Sequence, residues 1–402
     1  MGNFTPQLSS RLDQIVPSAT VAISQRANEL RAEGVDVLSF SVGQPDFEPP
    51  RHILDAAKAA VDKGVSKYTA ARGVVELRRA ICAESLARRG HEHQPSEVVV
   101  SVGAKHSLFN VALALFNPGD EVVVPAPYWV SYPEQVRLAG ANPVIVPPAP
   151  EDGFRLTPQT LEKALSPKTK ALILCSPSNP TGAAYSADEL AAIGKLALDR
   201  GFWIITDEIY GRLVYGGFEQ RSLLTVLPEL RDRLVVVDGV SKTYAMTGWR
   251  IGWILAPEAL AKACDTIQGQ STTNPAAIAQ QAALAALTGP QDEVEAMRQA
   301  FEERRSVIVN GLNAIDGIEC AMPVGAFYAF PDVTKLIGKS ANGTVLADDL
   351  AFARYLLDEA RCAVVPGSAF GAPGYLRVSY AASNDDLREG LRRMGDAIAK
   401  LS

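Results

Sequence analysis

Between residues 96 and 257, short apolar runs alternate with longer stretches whose apolar positions recur at helical spacing. The runs are EVVVSVG (97–103), EVVVPAP (121–127), ANPVIVP (141–147), KALILCS (170–176), GFWIITD (201–207), RLVVVDG (233–239) and RIGWILA (250–256). Each is rich in Val and Ile and is bounded by turn formers such as Pro118-Gly119-Asp120. The runs are continuous rather than alternating, which predicts strands buried on both faces of a largely parallel sheet. The stretches between them, 104–116 and 187–199 among them, predict helices. Together they predict an α/β domain with a mostly parallel seven-stranded sheet flanked by helices. Sheets of this kind take ligands at the carboxyl ends of their strands, so chemistry is to be sought just after each run.

Beyond Gly289-Pro290 the texture changes. A long charged stretch from Asp292 to about Leu312 predicts a helix, and a mixed α+β pattern follows to Ser402. The first 45 or so residues also fall outside the alternation. The expected organisation is an N-terminal arm joining the small domain (1–48), a large domain (49–290) and a small C-terminal domain (291–402). No internal repeat or low-complexity tract interrupts this.

Composition narrows the function classes. The 402 residues are 47% hydrophobic and 21% charged, with a formal net charge of −6. This is ordinary globular composition, and its acidity argues against a nucleic-acid partner, which needs a basic footprint. Five scattered cysteines, with no CxxC pair, fit isolated thiols in a reducing compartment better than a disulfide or zinc framework. The N-terminus lacks the apolar run of a signal peptide, and no apolar stretch reaches the roughly 20 residues that span a bilayer. The expectation is a soluble, cytoplasmic protein without a membrane partner. His91 and His93 sit in a polar HEH segment; two ligands do not complete a metal site, so no metal is expected.

The strand ends hold a varied set of groups. Val102-Gly103-Ala104-Lys105 is a small-residue turn opening a helix, which is either an anion site or only a tight turn. Tyr128-Trp129 offers a ring stacker or a packing residue. SPSNPTG (176–182) presents Asn179, whose amide serves a ligand or an Asx turn. Asp207 ends an apolar strand, where a carboxylate is costly unless a cation meets it or it caps a helix. Lys242 follows LVVVDGV, where partial desolvation would lower its basicity and favour Schiff-base chemistry. Arg250 is suited to gripping a phosphate. Singly each is weak; together they match an aldehyde-bearing pyridine with a phosphate arm.

SPSNPTG, TDEIY (206–210), SKTYAMTGWRIGW (241–253) and YLRVSY (375–380) resemble the signature segments of class I, fold-type-I, pyridoxal-phosphate-dependent aminotransferases. PSATVA (17–22), VGAKHSLFN (102–110) and PYWVSYPE (127–134) are most similar to the bacterial aspartate aminotransferases of subgroup Iβ. The resemblance covers nearly the whole chain. It implies that Lys242 is the Schiff-base lysine and proton carrier. Asp207 would pair with the pyridinium nitrogen, Tyr210 and Asn179 would bond the phenolic oxygen, and Trp129 would stack on the ring. Gly103, Ala104 and Lys105, with Arg250, would hold the phosphate, joined by Tyr68 (in KYTAARG) from the partner subunit of a homodimer.

For the substrate, the resemblance implies that Arg377 grips the α-carboxylate, Gly43 (in SVGQPDF) supports it through its backbone, and Lys105 meets the distal carboxylate. Thr20 would lie where the N-terminal segment closes over the ligand, and Trp129 and Asn179 would also contact the substrate. The pattern departs at Gly239, where many relatives, though often not those of subgroup Iβ, carry a phosphate-binding serine; Ser241 is a nearby candidate to compensate. The implied reaction is transamination between aspartate or glutamate and 2-oxoglutarate or oxaloacetate. Alternatives within the fold are an aminotransferase for aromatic, prephenate/arogenate or alanine-like substrates, or a PLP lyase. Some subgroup Iβ enzymes that use prephenate carry a lysine before PSATVA, where this chain has Val16. A PLP-binding transcription regulator would need an added DNA-binding domain. An NAD-dependent oxidoreductase would need a GxGxxG turn, which is absent.

Overall fold

A computed structural model describes residues 8–16, 19–341 and 343–402, without the side chains of 19–22 and 24. Leu38–Ser39 forms β1. The seven predicted runs then form one sheet: β2 (Val98–Val102), β3 (Glu121–Pro125), β4 (Asn142–Val146), β5 (Thr169–Cys175), β6 (Trp203–Asp207), β7 (Leu234–Gly239) and β8 (Ile251–Leu255). Its order is β2-β8-β7-β6-β5-β3-β4, and only β8 runs antiparallel to its neighbours. The C-terminal segment adds β9 (Tyr328–Ala329), a hairpin of β10 (Ser340–Ala341) and β11 (Thr344–Val345), then β12 (Cys362–Ala363), β13 (Val365–Pro366) and β14 (Leu376–Ser379). The last two join β9 in an antiparallel sheet of order β13-β14-β9.

The central strands are buried on both faces, as their unbroken apolar runs predict; Val123, Leu172, Ile204 and Val235 have no exposed surface, nor do Val98 and Val100 on the covered edge strand β2. β4 differs. It is one of the two edge strands, Ile145 is exposed, and Pro143 is tolerated there because an edge needs fewer backbone donors. Local chemistry sets the flanking helices. Helix Ala187–Arg200 starts at Ser186, whose Oγ accepts from the Glu189 N–H (3.3 Å) while Glu189 accepts from the Ser186 N–H (2.8 Å). It stops at Gly201, which takes the left-handed conformation that closes the last turn.

Apolar clusters cover each face of the large sheet. Another is built mainly from the C-terminal segment and includes Phe40, Ile209 and Tyr210. Helix Asp292–Asn313 fulfils the charged-helix expectation. β1 pairs in parallel with β12, which ties residues near 38 to the C-terminal segment. The loop after β1 is clamped by Arg304, whose two terminal nitrogens donate to Asp46 at 2.7 and 3.0 Å. All five cysteines are unpaired. No described helix is long and apolar enough to cross a membrane.

His91 and His93 have an electrostatic consequence. Their rings lie 4.9 Å apart, and buried His93 has no hydrogen-bond partner on either nitrogen. Burial pushes the His93 pKa down to about 4, against the pull of Glu97 and with the push of His91, Arg231 and Arg89. The unfolded chain therefore takes up this proton near the ordinary value of about 6.5, while the folded chain refuses it until about 4. Stability at this site is full above pH 6.5 and falls as the pH drops toward 4. His93→Phe is expected to reduce the acid-induced loss between pH 7 and pH 5 by about 2 kcal/mol. Thermal midpoints at the two pH values measure this, and an identical drop in both proteins contradicts it.

Candidate active site

A cavity of about 330 Å³ opens at the carboxyl ends of the sheet strands, where such folds place ligands. Its lining brings together Gly43, Ala104, Lys105, Trp129, Asn179, Asp207, Tyr210, Lys242, Arg250 and Arg377. Gly103 is not among the lining residues but adjoins them, next to Ala104 in sequence and packed against Arg250. Tyr68 stands apart from this cavity, 88% exposed on the chain's surface. Thr20 lies in the first turn of helix Ala19–Ala32, and its side chain is outside the described residues.

The β2-to-helix turn is built for close approach. Gly103 has a φ of +82°, and a Cβ there would sit 2.5 Å from Arg250 Nη2. A Cβ on Gly252 would collide with the Ala104 nitrogen. Both glycines are thus needed to set the start of helix Ala104–Leu115 against Arg250. The first-turn N–H groups of a helix lack internal acceptors and favour an anion. Arg250 itself adopts the left-handed conformation, φ +57°, with Nη1 donating to the Thr247 carbonyl at 2.8 Å. Such strain in a residue other than glycine is retained where the surroundings impose it. Gly239, the departure from the family pattern, packs against β8: its Cβ would lie 2.9 Å from Gly252 Cα and 2.9 Å from the Ile251 carbonyl oxygen. Ser241 lines the cavity instead.

Asp207 ends β6 with little exposure. The Tyr132 hydroxyl donates to its Oδ2 at 2.7 Å and the Ile209 N–H to its Oδ1 at 3.2 Å. Burial nevertheless raises its pKa to about 6, outweighing these hydrogen bonds and the more distant charge of Lys242, with which it forms no direct ion pair. Behind it, Glu208 and Asp238 share buried Arg89, at 2.9 and 2.6 Å, which neutralises the other carboxylates at these strand ends. Lys242 donates from Nζ to the Gly43 carbonyl at 2.5 Å. Burial and the charges of Arg377 and Arg250 lower its pKa to about 8, with Asp207 opposing. A sizeable share of its amine is therefore neutral near physiological pH.

Arg377, on β14, is buried and already oriented. Nη1 donates to Asn179 Oδ1 at 3.1 Å and Nη2 to the Ser41 carbonyl at 2.5 Å, while Nε has no partner. Its guanidinium carbon lies 4.6 Å from the Tyr328 ring centroid and 5.1 Å from that of Phe370. Because Asn179 spends its amide oxygen on Arg377, its amide N–H groups remain available to a ligand oxygen. The Gly43 carbonyl accepts from Lys242, and as an acceptor it cannot hold a carboxylate, so the Gly43 N–H is the group suited to one. Lys105 Nζ stands 4.8 Å over the Trp129 ring, and its backbone carbonyl accepts from Gln135 Nε2 at 2.9 Å. Burial and Arg250 both disfavour the Lys105 charge, an imbalance that an anion would relieve.

Sequence reading missed Tyr132, Tyr328 and Cys175, which also line the cavity. Tyr132 had a readable signal: it stands three residues after Trp129 at the start of helix Ser131–Leu138, hence near the same mouth. Tyr328 had none, since it arrives from the C-terminal sheet.

The residues present fit pyridoxal phosphate. Asp207 is a buried carboxylate with a raised pKa and no direct ion pair, as a protonated pyridine nitrogen requires. The turn at 103–105 with Arg250 is shaped for a phosphate, and Lys242 is a desolvated amine for the aldehyde.

Comparison with known proteins agrees with this geometry. Residues 35–394 match the family model described as aminotransferase class I and II. The chain is 46% identical to the aspartate aminotransferase of Geobacillus stearothermophilus, covering 96% of this chain and 98% of that protein. It is 48% identical to the aspartate/prephenate aminotransferase of Cereibacter sphaeroides, covering 98% and 99% respectively. Among solved structures, the Rhizobium meliloti aspartate aminotransferase superposes with a TM-score of 0.96 at 42% identity, covering 99% of this chain and 100% of that one. The Thermus thermophilus enzyme with maleate gives 0.92 at 41%, covering 98% and 100%.

Proposed function

The chain belongs to the class I and II aminotransferases, and from that premise we propose how its cavity exchanges the amino group of L-aspartate or glutamate with 2-oxoglutarate or oxaloacetate. The observation that carries this reading is the sharing of one cavity by a desolvated lysine, a buried carboxylate and two further cations, Arg377 and Lys105. A dicarboxylic amino acid offers one anion to each cation.

When bound, pyridoxal phosphate supplies the electron sink that takes up the charge left by breaking the substrate Cα–H bond. The chain's residues do the rest. The first-turn amides after Gly103, with Arg250, hold the phosphate, and Asp207 holds a proton on the ring nitrogen by presenting its carboxylate. Trp129 covers the ring. Asn179 and Tyr210 donate to the phenolic oxygen. Arg377 fixes the α-carboxylate, which orients the Cα–H bond toward Lys242. Once the substrate's amino group has taken its place on the cofactor, the freed Lys242 amine, with a pKa near 8 rather than its ordinary 10.5, would take that proton on Nζ and hold it for return. The two half-reactions alternate, the first releasing a 2-oxo acid before the second binds.

We further propose a cytoplasmic homodimer in which Tyr68, exposed here, completes the phosphate site of the partner subunit. Residues 49–290 would carry the cofactor, with 291–402 and 1–48 forming the smaller domain.

Lys105→Met tests the dicarboxylate reading. It is expected to lower kcat/KM for aspartate about 10- to 100-fold, the range of one charged hydrogen bond. Alanine, which lacks the distal carboxylate, should change little. Spectral half-reactions with aspartate, glutamate, alanine, phenylalanine and, because some relatives carry it in their names, prephenate measure this. Fastest conversion by phenylalanine or alanine overturns the assignment.

A further inference from the structure

Tyr210 and Tyr328 are both buried, and their hydroxyl oxygens lie 2.8 Å apart. The contact joins residues 118 positions apart, from the end of β6 and from β9. Tyr328 is held on several sides. Its ring meets that of Tyr210 edge-on at 5.8 Å, and the Arg377 guanidinium lies against it at 4.6 Å. Its hydroxyl fills the space that a side chain at 43 would need, since a Cβ on Gly43 would lie 2.7 Å away.

A phenol has one proton to give. Of two hydroxyls in contact, one donates and the other keeps its proton for another acceptor. If Tyr210 gave its proton to Tyr328, none would remain for an oxygen in the cavity. Burial raises both pKa values, and the cation of Arg377 counters this mainly at Tyr328, against whose ring it lies. Tyr328 is thus the more acidic partner and the better donor.

We propose that Tyr328 is a positioning residue: it donates to Tyr210 and so turns the Tyr210 proton into the cavity, toward the phenolic oxygen of bound pyridoxal phosphate. This rests on the cofactor reading given above. Hydrogen bonds in series strengthen one another, so Tyr210 becomes a stronger donor than it would be alone. A stronger donor stabilises negative charge on the phenolic oxygen. It thereby weakens that oxygen's hold on the proton of the nitrogen joining Lys242 to the cofactor.

The test is a pH titration of the visible absorption band of the holoenzyme. Tyr328→Phe keeps the ring against Arg377 and removes only the hydroxyl. The titration midpoint is expected to rise by about half a pH unit, a fraction of the effect of one full hydrogen bond. In a Tyr210→Phe background, Tyr328→Phe should produce no further shift, because the residue acts through Tyr210. An unchanged midpoint in the single variant overturns the proposal, as does an equal shift in both backgrounds. A wild-type protein that forms no titrating visible band with pyridoxal phosphate overturns the cofactor reading itself. Loss of packing alone would lower the thermal midpoint without moving the titration.

Discussion

Lys242→Ala is expected to reduce turnover by about 10⁴-fold or more while the protein still folds and retains part of its affinity for pyridoxal phosphate. A positioned general base alone contributes up to about 10⁴-fold, and loss of the covalent attachment adds to it. Affinity survives in part because the proposed phosphate site is made elsewhere, by the turn at Gly103 and by Arg250. The fold survives because the lysine amine makes a hydrogen bond to the Gly43 carbonyl and completes no buried ion pair. Removing a desolvated amine also relieves its unfavourable exposure to the charges of Arg377 and Arg250. A slightly raised thermal midpoint is therefore compatible with near-complete inactivity. Half-reaction rates with aspartate, together with cofactor retention after dialysis, measure both expectations. Turnover close to wild type would remove Lys242 from the chemistry and, with it, the proposed mechanism.

The large sheet was legible because its strands are buried on both faces and so leave unbroken apolar runs. Strand direction was not legible: RIGWILA reads the same whether β8 runs with its neighbours or against them. The exposure of Ile145 was hidden for a related reason, since ANPVIVP does not announce itself as an edge. β1, β12 and β13 are two residues long, too short to carry any periodicity. The strand-end rule pointed, without any fold in hand, to Asn179, Asp207 and Lys242, which line the cavity, and to Gly103, which adjoins it. Arg377 entered only through resemblance, because nothing local in a short buried strand marks an arginine as a ligand. Tyr328 lay beyond either route. Its hydroxyl matters through one contact across 118 residues, and no spacing rule reports such a contact.

Arg377 supports the second large effect. Arg377→Leu is expected to lower kcat/KM by about 10³-fold, from the 2–5 kcal/mol that follows loss of one member of a buried charged pair. Every amino acid carries the α-carboxylate, so the loss should be similar for aspartate, glutamate and alanine. That uniformity separates Arg377 from Lys105, whose removal should penalise dicarboxylates alone. Arg377→Lys should fall at least about ten-fold, because the site uses the fork of the guanidinium rather than its charge alone. One arm reaches Asn179, the other reaches the Ser41 carbonyl, and Nε is left for the ligand. The flat group also lies against Tyr328 and Phe370, where an ammonium would have a different shape and hydration. A lysine variant with near-wild-type kcat/KM would show that charge suffices and that the pre-oriented fork is incidental. If Arg377→Leu spared alanine while penalising aspartate, Arg377 would have to be reassigned to the distal carboxylate, and Lys105 with it.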